Sequence, residues 1–385
     1  MNNAPAWFAD GSRRTHCVWL DSADGEGQSL LAANPVNVFR AKADPATFPR
    51  LAEELAGFDG YAIGYFGYDL KNQIEKLPAR AADDLGLPDC WFGFYPDVLV
   101  QCATPAAPAT TLPRPGRPPV ADRQREPFLQ AVRRAQEYIA AGDIYQVNLS
   151  QRFQCAVTAD APAIYLALRE TNPAPYAAYL DIGDAQILSS SPECFLKISG
   201  RQVTTRPIKG TRPRSADPAE LLRSPKDNAE LLMITDLERN DLGKVCEFGS
   251  VRVTELRRVE TYATVHHLVS TVTGTLRADV SHVECVRACF PGGSITGAPK
   301  IRAMEIIDEL EPVARGVYCG AIGYFGPGGE SQFNIAIRTV VVKDGRATFH
   351  AGAGIVADSD PQAEYEETLA KAQGIFHALD QLRLR

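Results

Sequence analysis

The segment Arg206-Pro207-Ile208-Lys209-Gly210-Thr211-Arg212-Pro213-Arg214 holds one lysine between two residues that constrain the backbone. Pro207 fixes a dihedral and Gly210 permits a bend, so Lys209 stands where the chain turns after an alternating strand. A solvated turn lysine is the simpler reading. An amine enclosed in a pocket is the other: desolvation and nearby positive charge would lower its pKa and free its lone pair for attack. Carboxylates recur at helical spacing in two further places. Glu364, Glu367 and Lys371 fall three and four residues apart, along one helix face, after the small-residue run Ala351-Gly352-Ala353-Gly354-Ile355-Val356. The glycines there let a ligand approach the backbone. Asp227 and Glu230 repeat the three-residue spacing. For either pair alone a solvated helix face suffices, but two facing pairs would suit Mg²⁺, which prefers carboxylate oxygen and keeps waters for a ligand to replace. A third candidate is Pro291-Gly-Gly-Ser-Ile-Thr-Gly-Ala-Pro-Lys300, a glycine-rich loop entering a helix. Free amides there would bind an anion, with Lys300 adding charge; an ordinary turn is the alternative. The loop lacks the order GxxxxGK[ST], and no GxGxxG lies between a strand and a helix, so neither a Walker A nor a dinucleotide site is indicated.

The elements that must position these groups are legible. Phe128, Val132, Ala135, Tyr138 and Ile139 recur at helical spacing until Gly142-Asp143, and YQVNLSQRFQC then alternates as a strand. Residues 186–208 predict a hairpin turning at Ser199-Gly200, and residues 331–358 a second one turning at Asp344-Gly345. Residues 228–242 predict a helix, residues 259–276 are mostly extended, and a helix follows Pro299. Pro361 to about Leu382 predicts one long amphipathic helix. FDGYAIGYFGYDL at 58–70 reads as a glycine-punctuated buried strand ending in a polar turn. Residues 103–127 carry seven prolines and read as an exposed connector. The connector separates an N-terminal section, residues 1–102, from a C-terminal section, residues 128–385. Hairpins interspersed with helices, without repeated strand-helix-strand units, predict an α+β fold.

Composition narrows the function classes. The 385 residues are 45% hydrophobic and 23% charged, which describes a globular chain with a sizeable core. Forty basic against forty-seven acidic side chains, a net −7, give no general attraction to nucleic acid or anionic lipid. Nine cysteines, an odd number without a CxxC pair, indicate neither a disulfide framework nor a thiolate zinc site. Cys285 and Cys289, one helical turn apart, read as core packing. No signal peptide and no run of eighteen apolar residues is seen, so a cytoplasmic protein without a membrane span is expected.

Seven segments carry a resemblance: SSPECF, TRPIKGTRPR, NAELLMITDLERNDL, HHLVSTVTG, FPGGSITGAPKIRAMEIIDELE, GAIGYF and AGAGIVADSDPQAEYEETLAKA. In this order they resemble the chorismate-utilising enzymes, specifically the component I type of aminodeoxychorismate synthase, across residues 120–380. VWLDSADG at 18–25 and GYFGYDL at 64–70 extend the likeness into the N-terminal section. The resemblance implies two large antiparallel sheets packed as a sandwich with helices outside, both sections contributing and the connector serving as a crossover. One residue guides the subfamily: anthranilate synthases, the alternative, usually read Pro-Ile-Ala-Gly-Thr where this chain has Pro-Ile-Lys209-Gly-Thr.

Roles follow from the resemblance alone. Lys209 would be the nucleophile, Glu193 the acid and His267 a neighbour of the reacting ring, with His266 structural or exposed. Thr296, Tyr318, Arg338, Gly352, Gly354 and Lys371 would bind chorismate, Tyr318 and Arg338 clamping its enolpyruvyl carboxylate. Glu230 and Glu367 would ligate Mg²⁺, with Asp227 and Glu364 supporting it through water. Cys194 stands where relatives commonly have arginine, and Asp227 where many have glutamate. Some relatives bind tryptophan near LDSADG, so that ligand is a further expectation. No cysteine here has the GxCxG setting of a class I glutaminase, so ammonia is expected from a separate glutamine amidotransferase subunit.

Overall fold

The computed structural model describes residues 6–25, 27–106, 120–121, 125–262 and 265–383. Most of the expected connector, residues 107–119 and 122–124, lies outside the described residues. Two ten-stranded antiparallel sheets make the frame. The first runs in space Gly297–Ala298, Gln146–Ala156, Arg346–Ile355, Thr339–Lys343, Gln186–Ser191, Tyr176–Asp181, Val18–Asp21, Gln28–Ala32 and Leu99–Cys102. The second runs Ile208–Pro213, Val265–Thr275, Gln202–Arg206, Cys194–Ser199, Glu330–Asn334, Ala321–Gly326, Tyr61–Phe66, Cys90–Tyr95 and Asn37–Ala41. Two more strands join these paths: Val120–Ala121 pairs with Gln146–Ala156, and Arg252–Thr261 with Val265–Thr275.

Period-two alternation explains the layering. Ile63 and Tyr65 face a core shared with Val18, Leu180, Ile187 and Val341 of the other sheet, whereas Ala62 and Phe66 face the opposite way. Trp19, Tyr179, Leu188 and Val340 likewise turn from that inter-sheet layer toward the helices Ala161–Thr171 and Pro361–Arg383. The outer face of the second sheet is covered by residues of Thr47–Ala56, Pro225–Gly243 and His282–Cys289. Sequence sections on both sides of the proline-rich stretch enter both sheets. Val18–Asp21 pairs with Tyr176–Asp181, and Tyr61–Phe66 with Ala321–Gly326. Among the described residues no helix is long and apolar enough to cross a membrane.

The long C-terminal helix, Pro361–Arg383, and the hairpin at Asp344-Gly345 match their sequence expectations. Asp344 and Gly345 both adopt positive φ, 50° and 71°, which a two-residue turn of this twist requires. The other hairpin differs by one residue. Ser199 still pairs with Gln202, so Gly200 and Arg201 form the turn, where Gly200 has φ of 56°. The polar turn expected after residue 66 is a 3₁₀ helix, Tyr68–Gln73, with Tyr68, Leu70 and even Lys71 buried. Lys71 is accommodated there by the Asn72 side chain and the face of Tyr68. Cys285 and Cys289 are buried in the core, as expected.

Candidate active site

Lys209 lies on the strand Ile208–Pro213, whose pairing with Val265–Thr275 is irregular. Ile208 opposes Val269 and Thr211 opposes His267, so three steps along one strand meet two along the other. This bulge lifts Lys209 out of the regular ladder. Gly210 takes φ of 82°, and a Cβ there would lie 3.0 Å from Cγ of Asp227; glycine therefore serves both the conformation and the close approach. The Lys209 ammonium donates to the Ser294 carbonyl at 3.3 Å. Its Nζ is 3.9 Å from where a Cβ on Gly354 would stand. Desolvation lowers the Lys209 pKa and Lys371 adds to the effect, against the pull of Glu230, Glu193 and Glu367. The enclosed-amine reading is thereby favoured over the solvated turn.

Glu193 is 5% exposed and reaches the same loop. Ser294 hydrogen-bonds its carboxyl, and the Ile208 amide donates to its Oε1 at 3.5 Å. Desolvation raises its pKa, with Ser294 and then Lys209 opposing. A reluctant cation and a reluctant anion thus share one seryl residue. His267 is buried, its Nδ1 2.9 Å from the Thr211 hydroxyl. Desolvation first, then Arg338, pushes its pKa down to about 3, so it is neutral at ordinary pH. His266 is structural rather than exposed: it is buried between Thr261 and Arg214.

Of the carboxylate-binding candidates, Lys371 acts electrostatically on both Lys209 and Glu193, and Arg338 feels Glu193. Arg338 has φ of 50°, and among the described residues no group hydrogen-bonds its guanidinium. Burial lowers its pKa while Glu193 opposes. Tyr318 stacks on His350 at 5.0 Å, and its hydroxyl would be 2.8 Å from a Cβ at Gly352. Lys371 donates to the Gly352 carbonyl at 3.0 Å and pairs with Glu367 at 2.7 Å. Thr296 is fully buried, its hydroxyl donating to Gly292 and Gly293 carbonyls of its own loop.

The expected metal carboxylates are close enough to influence one another. Burial is the main cause that raises the pKa of Glu230 and of Glu364; Glu367 adds to it at both, and Asp227 at Glu230. Desolvation is also the largest influence on Glu367, yet Lys371, Lys226 and Lys209 together hold its pKa below the usual value. Asp227 is bound by Arg212 at 2.8 Å. Glu364 accepts from Ser359 at 2.6 Å through Oε1, whereas among the described residues its buried Oε2 has no hydrogen-bond partner. Among the described residues no three acidic, histidine or cysteine side chains form one ready-made ligand group. Mg²⁺ commonly takes only one or two carboxylates plus waters and substrate oxygen, so mutually repelling carboxylates and an orphaned oxygen still fit it.

The glycine-rich loop corrects one expectation. Lys300 supplies no free charge to an anion: its ammonium contacts Asp241 at 2.5 Å and the carbonyls of Cys289 and Pro291. The loop's part is played by Ser294, which sequence reasoning did not separate from its neighbours. Gln146 was also passed over. It is 2% exposed, its Oε1 lacks a partner among the described residues, and its Nε2 is 2.3 Å from the Cβ position of Gly354. The available signal was that polar Gln146, Asn148 and Ser150 alternate with Val147 and Leu149 on a strand buried on both faces.

A model of the chorismate binding enzyme family matches residues 15–377. The chain belongs to that family. It is thus a chorismate-utilising enzyme, as the motif order implied. Aminodeoxychorismate synthase component 1 of Klebsiella aerogenes is 42% identical, covering 95% of this chain and 87% of its own. Anthranilate synthase component 1 of Thermus thermophilus is 44% identical, over 85% and 79%. The crystal structure of anthranilate synthase component I from Streptococcus pneumoniae superposes with a TM-score of 0.81, at 34% identity, covering 91% and 92%. This chorismate-utilising chain also has a cavity of about 1080 Å³ lined by Ser22, Tyr61, Tyr176, Tyr262 and Tyr324.

Proposed function

We propose that this chain is the aminating subunit of an aminodeoxychorismate synthase, converting chorismate and ammonia to 4-amino-4-deoxychorismate. The observation that carries the reading is the pair formed by half-buried Lys209 and buried Glu193, meeting at Ser294 with pKa values displaced toward each other. Hydroxide is a poor leaving group, so loss of the C4 hydroxyl requires a proton donor, and a carboxyl with a raised pKa supplies one. Neutral Lys209 attacks C2 of the ring; a C–N bond forms, the double bond shifts, and the C4–O bond breaks as Glu193 protonates the departing oxygen. The Glu193 carboxylate then takes the excess proton from the new C2 ammonium. Ammonia next attacks C4, the double bond shifts back, and the C2–N bond breaks with Glu193 returning a proton to the lysine nitrogen. The C4 ammonium returns one proton to the Glu193 carboxylate, restoring the acid, so chorismate and ammonia become product and water. Two allylic displacements replace one difficult substitution.

Arg338 and Tyr318 are assigned the enolpyruvyl carboxylate, since a planar guanidinium suits bidentate recognition. Gly352, Gly354, Thr296 and Lys371 complete the anion pocket, and neutral His267 packs beside the ring. Mg²⁺, held by Glu230 and Glu367 with Asp227 and Glu364 through water, would neutralise and orient the ring carboxylate. Ammonia comes from a separate class I glutamine amidotransferase. The inter-sheet cavity supports tryptophan as a further ligand, because its tyrosines and polar rim suit an amphipathic amino acid.

Identifying the product from chorismate, Mg²⁺ and ammonia is the deciding experiment. Aminodeoxychorismate, with a chorismate-derived adduct mapping to Lys209 by intact mass, is expected. K209A should alter the product pattern as well as the rate, because water or ammonia can still attack C2. Full aminodeoxychorismate formation by K209A, with no adduct trapped on the parent, would defeat the covalent reading. Anthranilate as product would select the second reading, anthranilate synthase component I, which the identity to the Thermus thermophilus protein favours.

A further inference from the structure

Glu238 belongs to the helix Pro225–Gly243, within a stretch that reads on paper as charged helix surface. It is instead 3% exposed. Its Oε1 accepts the Gly293 amide at 3.1 Å and its Oε2 the Thr205 hydroxyl at 3.3 Å. Gly293 immediately precedes Ser294, which holds both Lys209 and Glu193. Thr205 precedes Lys209 by four residues on the adjoining strand. A Cβ at Gly293 would lie 2.6 Å from Leu237 and 3.3 Å from Glu238, so the loop is pressed directly against this helix.

We infer that Glu238 is a positioning residue for the acid–amine pair, tying the loop that carries Ser294 to the strand that leads to Lys209. The inference rests on the assignment of Glu193 as acid and Lys209 as nucleophile. A merely space-filling role would leave the choice of a carboxylate unexplained, since an aliphatic side chain would fill the space but leave the buried Gly293 amide without an acceptor. Asp241 faces Glu238 from the same helix, Lys300 from the start of the helix Lys300–Leu310, and Glu193 from the link that precedes the strand Cys194–Ser199. Burial first, then Asp241 and also Glu193, raise its pKa to about 7, against Lys300 and the Gly293 amide. Charge on Glu238 and charge on Glu193 disfavour each other. Removing the charge at position 238 therefore makes Glu193 ionise more readily, at lower pH.

Two variants separate these effects, assayed with chorismate, Mg²⁺ and ammonia alongside E193Q. E238L removes both hydrogen bonds and should lower kcat by about 10- to 100-fold with KM changed less than about 2-fold. E238Q keeps an acceptor for Gly293 and a partner for Thr205, so it should recover kcat to within about 3-fold of the parent. In E238Q the alkaline limb of the kcat–pH profile should move to lower pH. A parental kcat in E238L, or an unmoved limb in E238Q, overturns the inference. If E238L fails to fold, the E238Q limb alone decides. A parental rate in E193Q would instead reject the acid assignment itself, whereas a slow E193Q beside parental Glu238 variants rejects only the positioning role.

Discussion

His267 shows what enclosure does to one titratable group. Its pKa is pushed down to about 3, chiefly by desolvation, while an unfolded histidine titrates near ~6.5. A folded pKa below the unfolded one means that the unfolded state binds more protons between these values. The stabilisation is therefore complete above the unfolded value and is lost as pH falls toward the folded one. From this group alone the native state should lose about 3 kcal/mol between pH ~7 and ~4. Denaturant unfolding of H267Q across that range should show a correspondingly shallower loss, and parallel curves would contradict the assigned shift. The same enclosure acts oppositely on Glu193, whose raised pKa keeps it protonated longer. E193Q should thus depress kcat and leave chorismate KM largely unchanged, read by steady-state kinetics.

At the scale of elements, the buried ion pair Arg315–Glu311 joins several pieces around the site. The two side chains are 1% and 4% exposed and 2.7 Å apart. Arg315 also donates to the Ile295 and Asn148 carbonyls and lies over the rings of Tyr68 and Tyr318. Glu311 in turn accepts the Ser150 amide and hydroxyl. Removing one partner leaves a buried uncompensated charge, so R315M should destabilise the fold by about 3–5 kcal/mol. Because Tyr318 loses its cationic neighbour, chorismate KM should rise in the same variant. Guanidinium unfolding and steady-state kinetics test the two effects separately, and a stability change below about 1 kcal/mol would refute the structural part.

For the whole molecule, two expectations follow from how the sandwich is closed. The nine cysteines are free and all but Cys102 are buried, Cys319 included, and burial raises the Cys319 thiol to about 12. A thiol so protonated is a poor nucleophile. The pure chain should therefore aminate chorismate with ammonia but not with glutamine, and glutamine use should appear only when an amidotransferase is added. Efficient glutamine-dependent turnover by the chain alone would reject the need for a partner. The cavity between the sheets gives the second test. Denaturing the purified protein should release tryptophan, detected by mass spectrometry; if none appears, and added tryptophan changes neither turnover nor unfolding temperature, that ligand is excluded.

The sequence alone determined the elements, because their signals are local. Helical spacing set Pro361–Arg383 and put Glu364, Glu367 and Lys371 on one face, and Asp344-Gly345 specified its hairpin through backbone conformation. Motif order identified the family and the candidate residues. The charge states at the site could not be read that way, since desolvation depends on groups distant in the chain. Lys209 meets a carbonyl 85 residues later, and Glu238 meets an amide 55 residues later. The same distance hid the fate of Lys300, which the fold neutralises against Asp241, 59 residues before it. Only tertiary packing removed the water from these groups, and with it decided which lysine became a candidate nucleophile and which became a strut.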